Sequence, residues 1–195
     1  MHTDLIDHSD AFLGLRERRY DCVLIPERPH DESADDLKVE IVCDDGRIVA
    51  AGAHSKWARR RKIDLAELIN EPWVLSGPIS WRGTVVEEIF RARGLSRPRP
   101  MVTTDSIILR ARLVTGGPYL GMFATSVLRR LIAENYAITA LPVDLPGLSN
   151  VVVTLKNRTL SPVVERFLAS VREVAASLDG KQGRGAARLS KSKIS

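Results

Sequence analysis

The sequence predicts an α/β protein made of two lobes. Between Trp73 and Leu128, three short apolar strands are each followed by a helix-like run, which is typical of a largely parallel sheet. Two extended passages, 37–53 and 140–155, flank this block and suggest that the terminal parts join in a second lobe. The expected division is one lobe from 1–52 with 146–178, the other from 53–145, and a disordered basic tail at 179–195.

The N-terminal part predicts a helix and a strand. Residues 5–18 carry apolar side chains at helical spacing. Cys22 to Ile25 then form a continuous apolar run that is closed by Pro26. Because a run that is apolar on both faces suits a strand with neighbours on both sides, we expect a central parallel strand here.

Two further strands follow, separated by a turn signal. Residues 37–43 alternate between apolar and polar side chains, as a half-buried strand does. Asp44, Asp45 and Gly46 are turn-forming residues, and 47–53 is apolar again. These patterns predict the extended passage into the central lobe.

Small polar residues follow the strands of the central block. The predicted strands are 73–75, 101–104 and 119–123, and the predicted helices are 81–93, 107–114 and 126–135. Each strand reaches its helix through serine, threonine or aspartate. Helix N-termini present unpaired N–H groups and a partial positive charge, so this arrangement favours a pocket for an anion or a polar ligand.

The last helix and the tail differ sharply in charge. Ser161 is a candidate cap, Pro162 suits the first helical position, and apolar residues continue at helical spacing to about Leu178. The formal charge of +5 comes from five cations in the last fifteen residues, so the rest of the chain is neutral. A solvated tail of this kind touches phosphates at most non-specifically, and no specific DNA binding is expected.

Several function classes lack support in the sequence. No nucleophile elbow, dinucleotide-binding glycine motif or phosphate-binding loop is present, and no enzyme activity or cofactor is expected. No apolar run has the length of a membrane span, and no secretory signal is visible. We expect a cytoplasmic protein with two buried thiols and no metal site; the residues considered are Cys22, Cys43, His2, His8, His30 and His54.

Four stretches, taken together in this order, resemble one family. They are LRERRYDCVLI at 15–25, LAELINEPWVL at 65–75, the segment 82–113, and NRTLSPVVERF at 157–167. Their order and spacing are similar to the effector-binding domain of LysR-type bacterial transcriptional regulators. The run TGGPYLGMFATSVLRR resembles a subgroup that includes sugar-responsive regulators, such as regulators of galactose-binding proteins.

The resemblance implies a type 2 periplasmic-binding-protein fold, with two lobes, two crossover strands and a ligand cleft between the lobes. It also implies that the family's helix-turn-helix and first effector-domain strand are missing here, so the N-terminal lobe is expected to be incomplete. Candidate ligand contacts carried over by position are Ser76, Ser80, Trp81, Arg82, Asp105, Ser106, Gly121, Met122 and, across the cleft, Pro26.

Some of these candidates have an ordinary structural alternative. Arg82 is the expected cation for an acidic effector, because a guanidinium binds a carboxylate through two hydrogen bonds, but it also suits an exposed first helical turn. Trp81 suits either stacking on a ring or anchoring at the lobe surface. Ser80 and Ser106 are good helix caps in either case.

The resemblance implies a non-enzymatic domain that senses a small molecule, either an organic acid or a sugar. A homodimer, or a heterodimer with a full-length regulator, is expected. The alternatives are a stand-alone small-molecule binder and a dimerising modulator of a full-length regulator.

Overall fold

The computed structural model describes residues 8–26, 34–78 and 80–191, except for the side chains of 8, 9, 34, 81, 82 and 178–191. In chain order its helices and strands are α1 (His8–Arg16), β1 (Val23–Ile25), β2 (Leu37–Asp44), β3 (Arg47–Gly52), β4 (Trp73–Leu75), α2 (Trp81–Arg91), β5 (Pro100–Thr103), α3 (Ile107–Gly116), β6 (Leu120–Ala124), α4 (Thr125–Ala133), β7 (Ile138–Ala140), β8 (Ser149–Leu155) and α5 (Pro162–Lys191). Short 3₁₀ turns lie at Ala34–Asp36 and Leu65–Leu68. No helix in the described ranges combines the length and the apolar character that a membrane span needs.

The chain divides into two compact units. The first contains 1–45 and 148–195, and the second contains 46–147. The sequence placed the first boundary at 52/53, whereas β3 belongs to the second unit because it pairs with β6 and β7. The residues 44–46 therefore carry the chain from one sheet to the other, and the N–H of Asp45 donates to the carbonyl of Leu148 on the returning passage (2.9 Å).

The first unit contains a three-stranded antiparallel sheet in the order β1-β8-β2. Its buried apolar cluster joins α1 to one face of this sheet and consists of Ala11, Leu15, Val23, Ile25, Leu37, Val151 and Val153. The expectation of a central parallel strand at 22–25 is wrong. β1 lies at the edge, runs antiparallel to β8, and leaves Leu24 54% exposed. An apolar run shows that a strand is present but not which strand pairs with it.

The second unit contains a five-stranded sheet in the order β5-β4-β6-β3-β7. β4 runs parallel to both β5 and β6, and β3 runs antiparallel to its two neighbours. The three predicted strand–helix steps are confirmed, with ends that differ by at most two residues. Gly94 ends the turn after α2 with φ +68°, a conformation that favours glycine.

The last helix is longer than expected. Ser161 caps it through a hydrogen bond from the N–H of Val164 (3.4 Å), as predicted. The backbone of α5 stays helical to Lys191, so most of the segment expected to be a disordered tail is helical here. This segment contains alanine, lysine and arginine, which have high helix propensity.

Candidate functional site

The carboxyl ends of β4, β5 and β6 lie side by side in the second unit. Val74 of β4 is in register with Val102 of β5 and with Gly121 of β6. Parallel neighbours end at the same edge of a sheet, so α2, α3 and α4 begin along one edge. Ligands of open α/β sheets bind outside the carboxyl ends of the strands, which makes this edge the candidate site.

A buried arginine forms hydrogen bonds to residues at all three of these strand ends. Arg110 of α3 is only 5% exposed. Its guanidinium donates to the hydroxyl of Ser76 (2.6 Å), the carbonyl of Thr104 (2.8 Å) and the carbonyl of Met122 (3.0 Å). It also lies 5.9 Å from the ring centre of Phe123. These bonds position the segments that follow β4 and β5 relative to β6. Arg110 therefore determines the geometry of the carboxyl edge of the sheet.

Arg110 was missed as a site residue, although the sequence contains a signal for it. On α3, Arg110 shares the buried stripe with Ala111 and Val114, which lie one and four positions further along. A charged residue on an apolar stripe indicates either an error in the pattern or a buried polar cluster.

A second guanidinium reaches the same serine. Arg97, in the loop before β5, donates from Nη2 to the carbonyl of Ser76 (2.6 Å). Burial lowers the pKa of Arg97, and the negative charge of Glu87 opposes this shift. Nε and Nη1 of Arg97 are buried without a hydrogen-bond partner among the described residues. Ser76, itself 1% exposed, is thus held between two cations.

The three helices at the edge begin differently. The hydroxyl of Ser80 accepts from the N–H of Gly83 (3.3 Å) and donates to the carbonyl of Gly77 (2.8 Å). The hydroxyl of Ser106 accepts from the N–H of Leu109 (3.3 Å). α4 instead begins at Ala124, which provides no side-chain cap. The start of α4 is therefore the one without a side-chain cap, although the N–H and the hydroxyl of Thr125 both donate to the carbonyl of Gly46 (2.9 Å each).

Two glycines allow close approaches around this edge. A Cβ on Gly83 would lie 1.8 Å from the carbonyl oxygen of Gly77, so the first turn of α2 packs directly on the loop after β4. A Cβ on Gly121 would lie 2.8 Å from Phe123 Cε2 and 2.9 Å from Val114 Cγ2. Gly83 was missed in the sequence, because a glycine inside a helix has no distinct local signal.

The structure places some of the predicted contact residues at the carboxyl edge of the five-stranded sheet. Ser76 and Met122 both accept hydrogen bonds from Arg110. Ser80 and Ser106 cap α2 and α3. Gly121 is buried in β6, and Asp105 is exposed beside Ser106. The side chains of Trp81 and Arg82 lie outside the described part. Pro26 is buried in the first unit after β1. Ligand contact by each of these nine residues stays a prediction.

The described residues contain two free cysteines and no cluster of metal-binding side chains. No group of three or more histidine, cysteine, aspartate or glutamate residues that could hold a metal ion occurs among them. Cys22 and Cys43 are free thiols. Burial raises the pKa of Cys22, and the charge of Asp21 adds to this shift, which disfavours a reactive thiolate.

Comparison with known proteins identifies the class. The fold matches that of the CcmR regulatory domain from Synechocystis PCC6803, solved in complex with 2-PG, with a TM-score of 0.69 and 20% identity over 87% of this chain and 80% of that chain. It also matches the BenM effector-binding domain solved with its effector benzoate, with a TM-score of 0.68 and 18% identity over 89% and 78%. HinK, a LysR family transcriptional regulator from Pseudomonas aeruginosa, matches with a TM-score of 0.66 and 18% identity over 86% of this chain but only 57% of HinK.

The two-unit α/β architecture is thus that of the type 2 periplasmic-binding-protein-like domains of transcriptional regulators. The family model of the LysR substrate binding domain matches residues 4–176, and the chain belongs to this family. The resemblance and the fold class expected from the sequence are confirmed. Among curated protein sequences, none shows significant similarity to the chain.

Proposed function

We propose that this LysR substrate-binding domain senses a small organic anion at the carboxyl edge of the five-stranded sheet. The observation that carries the proposal is the uncapped start of α4 beside the arginine-bound strand ends. First-turn N–H groups are good donors to carboxylate and phosphate oxygens. Ala124 provides no cap side chain here, and the N–H of Thr125 donates to the carbonyl of Gly46 (2.9 Å), so the proposed donors are the N–H groups further along the first turn.

The charge of the edge supports an anion over a neutral sugar. Arg97 and Arg110 both bind Ser76, and the oxygens that they contact there and at Thr104 and Met122 are uncharged. Two guanidinium groups therefore lie at the strand ends, and the carboxylate of Glu87 is close enough to Arg97 to act on its pKa. The ligands named for CcmR and BenM, 2-PG and benzoate, prompt the same choice of ligand class.

The direct contacts are assigned by position in the chain. Arg82, in the first turn of α2, is the proposed partner of the anionic group, and Trp81 is proposed to cover the ligand. Arg110 and Arg97 position the loop after β4, since their hydrogen bonds go to Ser76.

The wider biological role follows from the family. We propose that the domain acts without turnover, in the cytoplasm, and as a dimer whose geometry changes when the effector binds. The second candidate, a modulator that pairs with a full-length regulator, uses the same fold.

Ligand screening tests the proposed site. Thermal shift assays with organic acids, phosphorylated acids and neutral sugars are expected to give anionic hits, because a ligand that binds only the folded state raises the melting temperature. For a hit, the Arg82→Ala substitution is expected to weaken the Kd by about 10- to 100-fold, which is the loss of one charge-assisted contact.

A matched control lies on the same helix. Arg91→Ala removes the same charge from the last turn of α2, and the Kd is expected to stay within about twofold of wild type because long-range charge effects are screened. Equal loss in both variants, or a screen in which only neutral sugars bind, contradicts the proposal.

A further inference from the structure

The two units differ in net charge. The second unit, 46–147, has 15 lysine and arginine residues and eight aspartate and glutamate residues, which give a formal net charge of +7. The first unit has 14 and 16, a net charge of −2, although it includes the basic tail. A strong excess of cations in one unit indicates an affinity for polyanions and directs attention to where these cations cluster.

The densest positive charge of the second unit follows β3. Five exposed cations lie within seven residues, 56–62, which we call the basic loop: Lys56, Arg59, Arg60, Arg61 and Lys62. Ala51 of β3 and Trp73 of β4 are both in register with Leu120, the first residue of β6. The chain therefore enters the basic loop at the amino edge of the parallel strands, opposite to the carboxyl edge that carries the candidate effector site.

A buried tryptophan holds the basic loop in place. Trp57 is 8% exposed, and its Nε1 donates to the carboxylate of Glu71, two residues before β4 (3.1 Å). Lys56 donates to the other oxygen of the same carboxylate (2.7 Å) and lies 5.0 Å from the indole ring centre. Directly after the loop, the N–H of Ile63 donates to the carbonyl of Pro142 (3.3 Å). Because the loop is fixed near both ends, little conformational entropy is lost when it binds a ligand.

Three of the five cations form no ion pair within the described part of the chain. The other two are neutralised in the pairs Lys56–Glu71 (2.7 Å) and Arg60–Glu67 (2.9 Å). Asp64, which follows the loop, caps the next 3₁₀ turn through its side chain. The cations without an ion pair are Arg59, Arg61 and Lys62. Neighbouring like charges repel one another, so a bound polyanion would stabilise this arrangement.

We infer that the basic loop binds the phosphate backbone of duplex DNA without reading its sequence. Guanidinium groups bind phosphate oxygens through paired hydrogen bonds. Several exposed cations along one short segment suit the closely spaced charges of a duplex better than a single small anion. The inference is independent of the proposed effector site, which lies at the other edge of the sheet.

The composition of the basic loop favours DNA over an acidic protein surface. Protein interfaces are centred on aromatic or aliphatic side chains and have few charges there. The apolar residues of the loop are Trp57, which is buried, and Ala58, which is small. Burial of Trp57 also leaves the loop without an exposed ring for stacking on bases, so a duplex is favoured over a single strand.

Fluorescence anisotropy with a short labelled DNA duplex of arbitrary sequence tests the inference in the full chain. The loop variant combines Arg59→Ala, Arg61→Ala and Lys62→Ala. Its Kd at about 50 mM salt is expected to be at least about tenfold weaker than that of wild type. The slope of log K against log salt is expected to fall in magnitude by about two to three, since each lost phosphate contact removes about one. Thermal unfolding checks that the variant stays folded, as expected for exposed positions.

The basic tail provides a charge-matched control. Lys181→Ala, Arg184→Ala and Arg188→Ala together remove the same number of charges, and the Kd is expected to stay within about threefold of wild type. A second control keeps the charge of the loop: Arg59→Lys with Arg61→Lys is expected to preserve the salt slope.

Three results overturn the inference. The first is a wild-type chain that does not bind the duplex at low salt. The second is an equal loss of affinity in the loop and tail variants. The third is displacement of the labelled duplex by polyglutamate as effectively as by unlabelled duplex of another sequence, which would indicate an acidic protein surface as the partner.

Discussion

Arg110 of the second unit and Arg172 of the first unit lie in contrasting environments. In the second unit, Arg110 is buried and its bonds join the ends of three strands. In the first unit, Arg172 lies at the surface and binds Glu40 through two hydrogen bonds of 2.6 and 2.8 Å, with half of the arginine side chain exposed. Buried polar bonds are costly to break, whereas exposed ion pairs contribute little. The unit that carries the candidate site is therefore expected to be the more sensitive to single substitutions.

Removing the buried guanidinium is expected to have the largest effect. Arg110→Met keeps much of the side-chain length but leaves the hydroxyl of Ser76 and the carbonyls of Thr104 and Met122 without this donor. We expect the free energy of unfolding to fall by about 3 kcal/mol, the range for lost hydrogen bonds to a charged group. Urea unfolding measures the loss, and hydrogen exchange is expected to accelerate in β4, β5 and β6 more than in β8.

An exposed arginine on the same helix provides the control. Arg112 contacts the ring of Tyr136 at 5.0 Å from its side chain to the ring centre. Arg112→Met is expected to cost about 0.5–1 kcal/mol, as exposed cation–π contacts do. If both substitutions lowered the free energy of unfolding by similar amounts, burial of Arg110 would not explain a greater sensitivity of the second unit.

Overpacking at the strand ends is expected to lower the stability less than the loss of Arg110 does. Gly121→Ala forces a Cβ within 3 Å of Val114 and Phe123 in the buried cluster of the second unit. Overpacking of this kind costs about 1–3 kcal/mol. Gly116→Ala meets no atom within 4 Å at the end of α3, and the lower backbone entropy of alanine is expected to stabilise the chain by about 0.5 kcal/mol. In thermal unfolding, Gly121→Ala is expected to lower the melting temperature and Gly116→Ala to raise it. A change of the same sign in both variants would contradict this difference.

Local signals in the sequence were sufficient for the order of elements but not for the pairing of strands. The strand–helix steps of the second unit follow from apolar runs, serine caps and glycine stops, and each of these acts within a few residues. The position of β1 beside β8 depends on a partner more than 120 residues away, and its short run carried no information about that partner.

In the candidate site, too, the sequence predicted the residues with local signals and missed those that depend on distant contacts. The caps Ser80 and Ser106 were found because capping is local. Arg110 and Arg97 were missed because their partners, Ser76 and Met122, are distant in the sequence and meet only in the folded sheet. The passage at 44–46 was read as a turn because its residues favour one, although it joins two different sheets.

The surface ion pairs of the first unit are expected to give the smallest effect and a distinct pH dependence. Hydrogen bonds from Arg172 hold the pKa of Glu40 below its usual value of 4.5, against the opposing effect of burial. A lowered folded-state pKa stabilises the protein above the unfolded pKa, and this contribution is lost as the pH falls through the folded value. Arg172→Gln is therefore expected to cost less than about 1 kcal/mol at pH 7.

The difference between wild type and Arg172→Gln is expected to disappear in acid, once Glu40 is protonated, and to shrink in high salt because exposed charges are screened. Urea unfolding at several pH values measures it, with Arg166→Gln on the same exposed helix as the charge-matched control. A loss that persists unchanged below the pKa of Glu40 would mean that Arg172 stabilises the first unit through packing of its aliphatic stem, and the contrast between surface and buried arginines would then rest on contact area instead of charge.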